Sequence, residues 1–257
     1  KNAPDSMKHA VYSAKMERSV GLGAMGFHSF LQSKGIPFES ALAKSWNMKF
    51  FKHLKQEADK ASVILAIEKG ACPDAQEMNV KARFSHKLAI APTASISIIC
   101  GGTSACIEPI PANIYTHKTL SGSFTVKNKY LEKLFDDKGI NNEITWQSIL
   151  ENDGSVSHIK ELSSEEKDCF KTAFEIDQRW IIEMASDRTP FICQSQSINL
   201  YLSADIDKWD LMMLHWKAWE LGVKSLYYCR SKSIQRASYA GVEGDNTSNW
   251  PEKNITE

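Results

Sequence analysis

A four-residue apolar run, Leu88-Ala89-Ile90-Ala91, stops at Pro92 and passes at once into Thr93-Ala94-Ser95-Ile96-Ser97, a string of small and hydroxyl residues suited to a helix start. A short apolar run bounded by turn signals reads as a strand buried on both faces, and such strands belong to parallel sheets covered by helices. Proline has no N–H to give to a ladder, so the strand must end there. This junction of strand and helix points the whole chain toward an α/β fold.

The 257 residues carry 31 Lys plus Arg and 31 Asp plus Glu, a net charge of zero, with 42% hydrophobic and 24% charged residues. This is the size of one large α/β domain or two small ones, and the composition excludes disordered, collagen-like and coiled-coil classes. Neutral balance removes the broad basic field of a nucleic-acid binder, so no direct nucleic-acid partner is expected. No apolar run approaches the roughly 18 residues of a membrane span, and the opening Lys1-Asn2-Ala3-Pro4-Asp5-Ser6 lacks the apolar core of a signal peptide. The expectation is a cytoplasmic protein without a membrane partner. Cys72, Cys100, Cys106, Cys169, Cys193 and Cys229 form no C-x-x-C pair and are expected to be reduced. The histidines show no pair spaced four apart on a helix, so no metal site is expected.

Helical spacing is read over residues 6–18 and again over 40–69. In the second stretch Phe50, Phe51, Leu54, Ala58, Ala61, Ile64, Leu65 and Ile67 recur at three- and four-residue steps before Gly70. One or two long amphipathic helices with these residues facing the core are expected. Residues 112–130, rich in β-formers and broken by Ser121-Gly122-Ser123, predict a hairpin or an irregular pair of strands. The stretch 136–162 reads as polar surface. Ser163 and Glu166 form a capping box that opens a helix through Met184, burying Phe170, Ala173, Phe174, Ile176, Trp180, Ile181 and Met184. A further helix over 205–221 carries Trp209, Met212, Met213, Trp216 and Trp219, expected in the core, and 223–228 reads as a strand. Domain boundaries follow: 1–228 folded, 229–257 a flexible tail rich in Ser, Asn and Gly.

Three motifs carry chemistry. Gly21-Leu22-Gly23-Ala24-Met25-Gly26 matches G-x-G-x-x-G, the phosphate turn of dinucleotide folds, but Lys15-Met16-Glu17-Arg18 stands where a hydrophobic strand should precede it. The competing reading is glycines that let a strand and a helix approach closely. The Pro92 to Ile96 turn offers helix-start N–H groups and hydroxyls to an anion, or else consists of plain caps. Tyr227-Tyr228 reads as two β-formers on alternate faces of a strand end. Cys229, beside Arg230, is the most plausible reactive thiol.

Several stretches, taken in order, resemble the C-terminal part of the large, catalytic subunit of class I ribonucleotide reductases. They are Glu17 to Gly23, Ala91-Pro92-Thr93-Ala94-Ser95, Ile107-Glu108-Pro109 with Asn113 to Thr116 and Leu120 to Phe124, Pro190 to Ser197, and Gly222 to Tyr228. The resemblance implies the C-terminal half of a ten-stranded α/β barrel. It implies a substrate-phosphate loop at Pro92, Thr93, Ala94, Ser95 and Ile96 for a ribonucleoside diphosphate, and a stacked pair, Tyr227 and Tyr228, that relays a radical. Such stacking requires a bend, because a regular strand points neighbours apart.

The same resemblance implies partners: an N-terminal piece of the large subunit, a small radical-generating subunit with its metal-based cofactor, and a thioredoxin- or glutaredoxin-type reductant. No cofactor is expected in this chain, and nucleotide effectors belong to the N-terminal part. No loop here matches the family's radical-forming cysteine, and the tail holds only Cys229 where a re-reducing cysteine pair belongs. A separately encoded or cleaved piece, inactive alone and located in the host cytoplasm if phage-encoded, is therefore expected. An open half barrel would expose strand edges and an apolar face to its complement. The alternatives are a dinucleotide-dependent oxidoreductase using Gly21 to Gly26, or a non-catalytic interaction module.

Overall fold

The computed structural model describes residues 3–119 and 122–231. Leu120 and Ser121 of the resemblance, and residues 232–257 of the expected tail, lie outside the described residues.

Four stretches of chain lie side by side and parallel. Leu22 bridges Leu88, Ile90 bridges Gln196, and β3 (Leu200–Leu202) pairs with β4 (Cys229–Ser231). Backbone bonds join them into one ladder: Ala89 N–H to Leu22 O at 3.1 Å, Ile90 N–H to Ser195 O at 3.1 Å, Ser197 N–H to Ile90 O at 2.9 Å and Tyr227 N–H to Ile198 O at 2.7 Å. Leu88 and Ile90 are buried, as expected of a covered parallel strand.

Parallel neighbours need long crossovers, and here helices supply them. Ahead of the first stretch runs α1 (Lys8–Glu17), and between the first and second lie α2 (Phe27–Ser33), α3 (Ala41–Lys69) and α4 (Pro73–Glu77). Then come α5 (Ala94–Ile99), the antiparallel hairpin β1 (Ile114–Thr119) and β2 (Gly122–Lys127), α6 (Lys129–Lys138), α7 (Glu143–Glu151), α8 (Ser164–Cys169) and α9 (Gln178–Arg188). α10 (Lys208–Glu220) joins β3 to β4. The main core gathers Leu31, Phe38, Phe51, Leu88, Ile107, Met184 and Ile198. A buried Arg188 stitches it together by donating to Gln196 Oε1 and Asn47 Oδ1, and burial pulls its pKa down to about 10.

Several expectations require correction. Residues 136–162 are no polar surface: α7 and the loop after it bury Trp146, Ile149, Val156, Ile159 and Leu162 in a second core with Leu131 and Phe135. The helix opened by the Ser163–Glu166 capping box, which is present, ends at Cys169 instead of reaching Met184. Ala173 N–H bonds Ile110 O at 2.7 Å, outside any helix, and Asp177 caps a fresh start by accepting from Arg179 N–H at 2.9 Å. On α3, a single 29-residue helix, Phe51 is buried but Phe50, Ile64 and Ile67 are exposed. α10 exposes all five of Trp209, Met212, Met213, Trp216 and Trp219, expected in the core, and buries only Ala218. The strand expected at 223–228 is displaced to β4, which takes residues 229–231 of the expected tail into the ladder.

Candidate functional site

The glycines at 21–26 are explained by packing. A Cβ on Gly23 would lie 2.6 Å from Ala89 O, and one on Gly26, whose φ is +82°, would lie 2.6 Å from Thr103 Oγ1. Two donors at the α2 start are occupied as well: Gly26 N–H bonds Ser104 O at 2.8 Å and Ser29 N–H bonds Ser104 Oγ at 3.1 Å. A pyrophosphate would have to displace these bonds, and the close packing accounts for Gly23 and Gly26 without one.

An open cavity of about 600 Å³ lies against the ladder, lined by Pro92, Cys193, Ser195, Ser197, Ser225 and Tyr227 among others. It brings together one end of the expected phosphate loop and one tyrosine of the expected pair. Thr93 turns away from ordinary capping. Its φ is +51°, its side chain caps nothing in α5, and its Oγ1 accepts the Cys106 N–H at 2.7 Å. The hydroxyl proton of Thr93 is left to donate elsewhere. Ala94, Ser95 and Ile96 form the first turn of α5 and are exposed. Ala94 lines a different, smaller cavity with Tyr115 and Asn113.

Tyr227 and Tyr228 do not point apart. Their ring centres are 4.0 Å from each other with planes inclined by 52°. The chain has not yet entered β4 at this point, so the strict alternation of a strand does not apply. Both rings are about half exposed, and Arg230 lies over the Tyr228 ring at 5.5 Å. The Tyr227 phenol is held above its ordinary pKa, first by its hydrogen bond with Tyr228.

Beneath the pair sits a constellation that motif reasoning left without a role. Glu108 is buried, and its carboxyl accepts Asn199 N–H at 2.6 Å, Asn199 Nδ2 at 2.9 Å and the Tyr201 phenol at 3.1 Å. Burial raises its pKa against the pull of these donors. Two residues earlier Cys106, whose thiol burial pushes up to about 12, donates to Ser197 O at 3.5 Å. At the cavity wall Cys193 Sγ accepts from the backbone N–H groups of Lys87 (3.0 Å) and Leu88 (3.2 Å). Lys224 spans the turn beside it, donating to the carbonyls of Ile192, Cys193 and Gln194. Among the described residues no group of three or more His, Cys, Asp or Glu is placed to hold a metal ion, and no helix is long and apolar enough to cross a membrane.

A helix-covered parallel ladder, with an open cavity against it and two phenols in contact at the cavity wall, is the framework of an α/β barrel-type protein. Comparison with known proteins narrows this class. A family model described as the ribonucleotide reductase barrel domain matches residues 2–82 and 75–229, and the chain belongs to that family. Its relatives include the ribonucleoside-diphosphate reductase large subunits of Invertebrate iridescent virus 6 (47% identical over 91% of this chain) and Invertebrate iridescent virus 3 (43% over 91%). The zebrafish large subunit is 32% identical over 88% of this chain. The solved alpha subunit of the class Id ribonucleotide reductase of Actinobacillus ureae superposes with a TM-score of 0.84, at 38% identity over 93% of this chain and 44% of its own. The chain spans 25%, 37% and 32% of the three named large subunits, and so corresponds to one part of such a subunit.

Proposed function

We propose that this chain contributes substrate-phosphate binding and the last radical-relay step to the reduction of ribonucleoside diphosphates to deoxyribonucleotides. The observation that carries the reading is the contact of Tyr227 with Tyr228, 4.0 Å between ring centres, at the wall of the cavity that Pro92 also lines. Two phenol rings in van der Waals contact provide a short path for an electron.

The diphosphate binds at Pro92 to Ile96. The first-turn N–H groups of α5 have no partners within the helix, and the hydroxyls of Thr93 and Ser95 add donors. No basic side chain is needed for this. The reaction replaces the ribose 2′-hydroxyl by hydrogen: the oxygen leaves as water, and a dithiol supplies two electrons and becomes a disulfide. That dithiol and the radical-forming cysteine belong to the remainder of the large subunit, which also carries the effector nucleotides. The radical originates in the metal-based cofactor of a small subunit, and a thioredoxin- or glutaredoxin-type protein restores the thiols. The exposed Trp and Met face of α10 offers apolar surface for a partner. The site of action is the cytoplasm.

The test mixes the chain with the complementary large-subunit fragment and the small subunit and follows reduction of cytidine diphosphate. Tyr227→Phe and Tyr228→Phe keep the rings and remove the oxidisable phenols, so each should abolish turnover while leaving substrate binding in place. Turnover that survives either change removes the relay. Binding without turnover in the complete mixture favours a non-catalytic interaction module.

A further inference from the structure

The tyrosine pair is held from below by a residue far away in sequence. Tyr228 N–H donates to Asn199 Oδ1 at 3.2 Å, while Tyr227 N–H donates to Ile198 O at 2.7 Å. The Tyr228 carbonyl accepts Leu200 N–H at 2.9 Å in the ladder, so of this residue's backbone groups it is the N–H that relies on a side chain. The Asn199 amide cannot turn freely, because its Nδ2 donates to Glu108 Oε2 and its own backbone N–H donates to Glu108 Oε1. Gripped at both nitrogens by one carboxyl, Asn199 can present only its oxygen to Tyr228. Glu108 lies two residues from Cys106, whose N–H holds the Thr93 hydroxyl oxygen. A single buried loop thus anchors the phosphate loop at one point and the tyrosine pair at another.

We propose that Glu108 is a positioning residue for the tyrosine pair: by clamping Asn199 it fixes the Tyr228 backbone in the bend that keeps the two rings in contact. This rests on the relay reading for its purpose, but not for its geometry. A carboxyl is required because all three of its partners donate. Glutamine would turn an N–H group toward one of them, leaving a buried donor facing a donor.

The test has two arms. In the full 257-residue chain, amide hydrogen exchange is followed at Tyr227 and Tyr228. Asn199→Ala and the near-isosteric Glu108→Gln should each speed exchange at Tyr228 by about five- to tenfold, the effect of losing one hydrogen bond, and leave Tyr227 unchanged. Tyr201→Phe removes one Glu108 donor while keeping both Asn199–Glu108 bonds, and should leave both amides unchanged. In the reconstituted complex, Glu108→Gln should lower kcat for cytidine diphosphate about tenfold with KM unaltered, because the relay and not binding is disturbed. Unchanged Tyr228 exchange in Glu108→Gln overturns the clamp. Faster exchange with an unchanged kcat overturns its role in positioning the relay. If turnover survives the Tyr→Phe variants, the relay reading fails, yet the exchange arm still decides whether Glu108 holds Tyr228.

Discussion

Glycine at position 23 is held in place by a carbonyl oxygen. The Cβ of any other residue would approach Ala89 O to 2.6 Å, and that oxygen is backbone, which cannot swing aside as the end of a side chain would. At Gly21 the nearest neighbour of an added Cβ is the Ala89 methyl at 3.4 Å, a contact that small shifts relieve. Gly23→Ala should therefore destabilise the chain by about 1–3 kcal/mol, and Gly21→Ala by clearly less, measured as urea midpoints. Equal effects would mean that the first ladder stretch is not seated against the second. Residues of this kind show why motif matching misleads: a G-x-G-x-x-G string answers equally to a phosphate and to a neighbouring strand, and only the position of Ala89 separates the two. Glu108 and Asn199 were harder still to recognise. Nothing local marks them, because they stand 91 positions apart and meet only once the chain between them has folded back.

At the scale of elements, local signals were read correctly where they act locally. The Ser163–Glu166 capping box, the hairpin at 114–127 and the helix start after Pro92 all form, since each depends on a few neighbouring residues. The helix expected across 163–184 failed because Phe170, Ala173 and Ile176 keep a helical spacing and are all buried, but on a loop. Glu39 pins that loop by accepting from Lys171 Nζ and from Asp177 N–H. Asp177 is the cap that lets α9 begin anew, so Asp177→Ala should cost about 1 kcal/mol in denaturant unfolding. A negligible cost would show that α9 is placed by packing alone. The outer face of α10 could not be told from a core stripe, because Trp and Met serve both a core and a surface awaiting a partner.

The described residues include a ladder-based body and a helical lobe, each with a core of its own. A buried polar chain joins them. His28 Nδ1 accepts from Ile110 N–H at 3.0 Å, and Gln32 Nε2 reaches Cys169 O at 3.3 Å. Asn128 Nδ2 contacts both Gln32 Oε1 and Asn113 Oδ1, and Asn113 Nδ2 donates to Gly154 O and Phe170 O. Burial pulls the His28 pKa from 6.5 down to about 4. The unfolded chain therefore binds a proton on His28 that the folded chain refuses. Stability from this residue is complete above pH 6.5 and declines as the pH falls toward 4, by an amount on the order of 3 kcal/mol. His28→Gln should flatten that part of the pH profile of the urea midpoint. A profile equally steep in the variant assigns acid lability to the carboxylates instead.

The ladder's pairings also set an order in time. Leu22 must find Leu88, and Ile90 must find Gln196, across loops that are slow to close, whereas everything in the helical lobe lies between residues 114 and 170. Refolding should protect amides of α6 and α7 first and those of Ile90, Ser197 and Tyr227 last, an order that pulse-labelled exchange would reveal or refute. On a ribosome the wait would be longer still, since Tyr227 emerges after nearly all of the ladder has been synthesised. The cavity wall formed by Ser225, Leu226 and Tyr227 is then among the last parts of the chain to be completed, and nascent chains interrupted before that point would carry a finished lobe and an unfinished cavity.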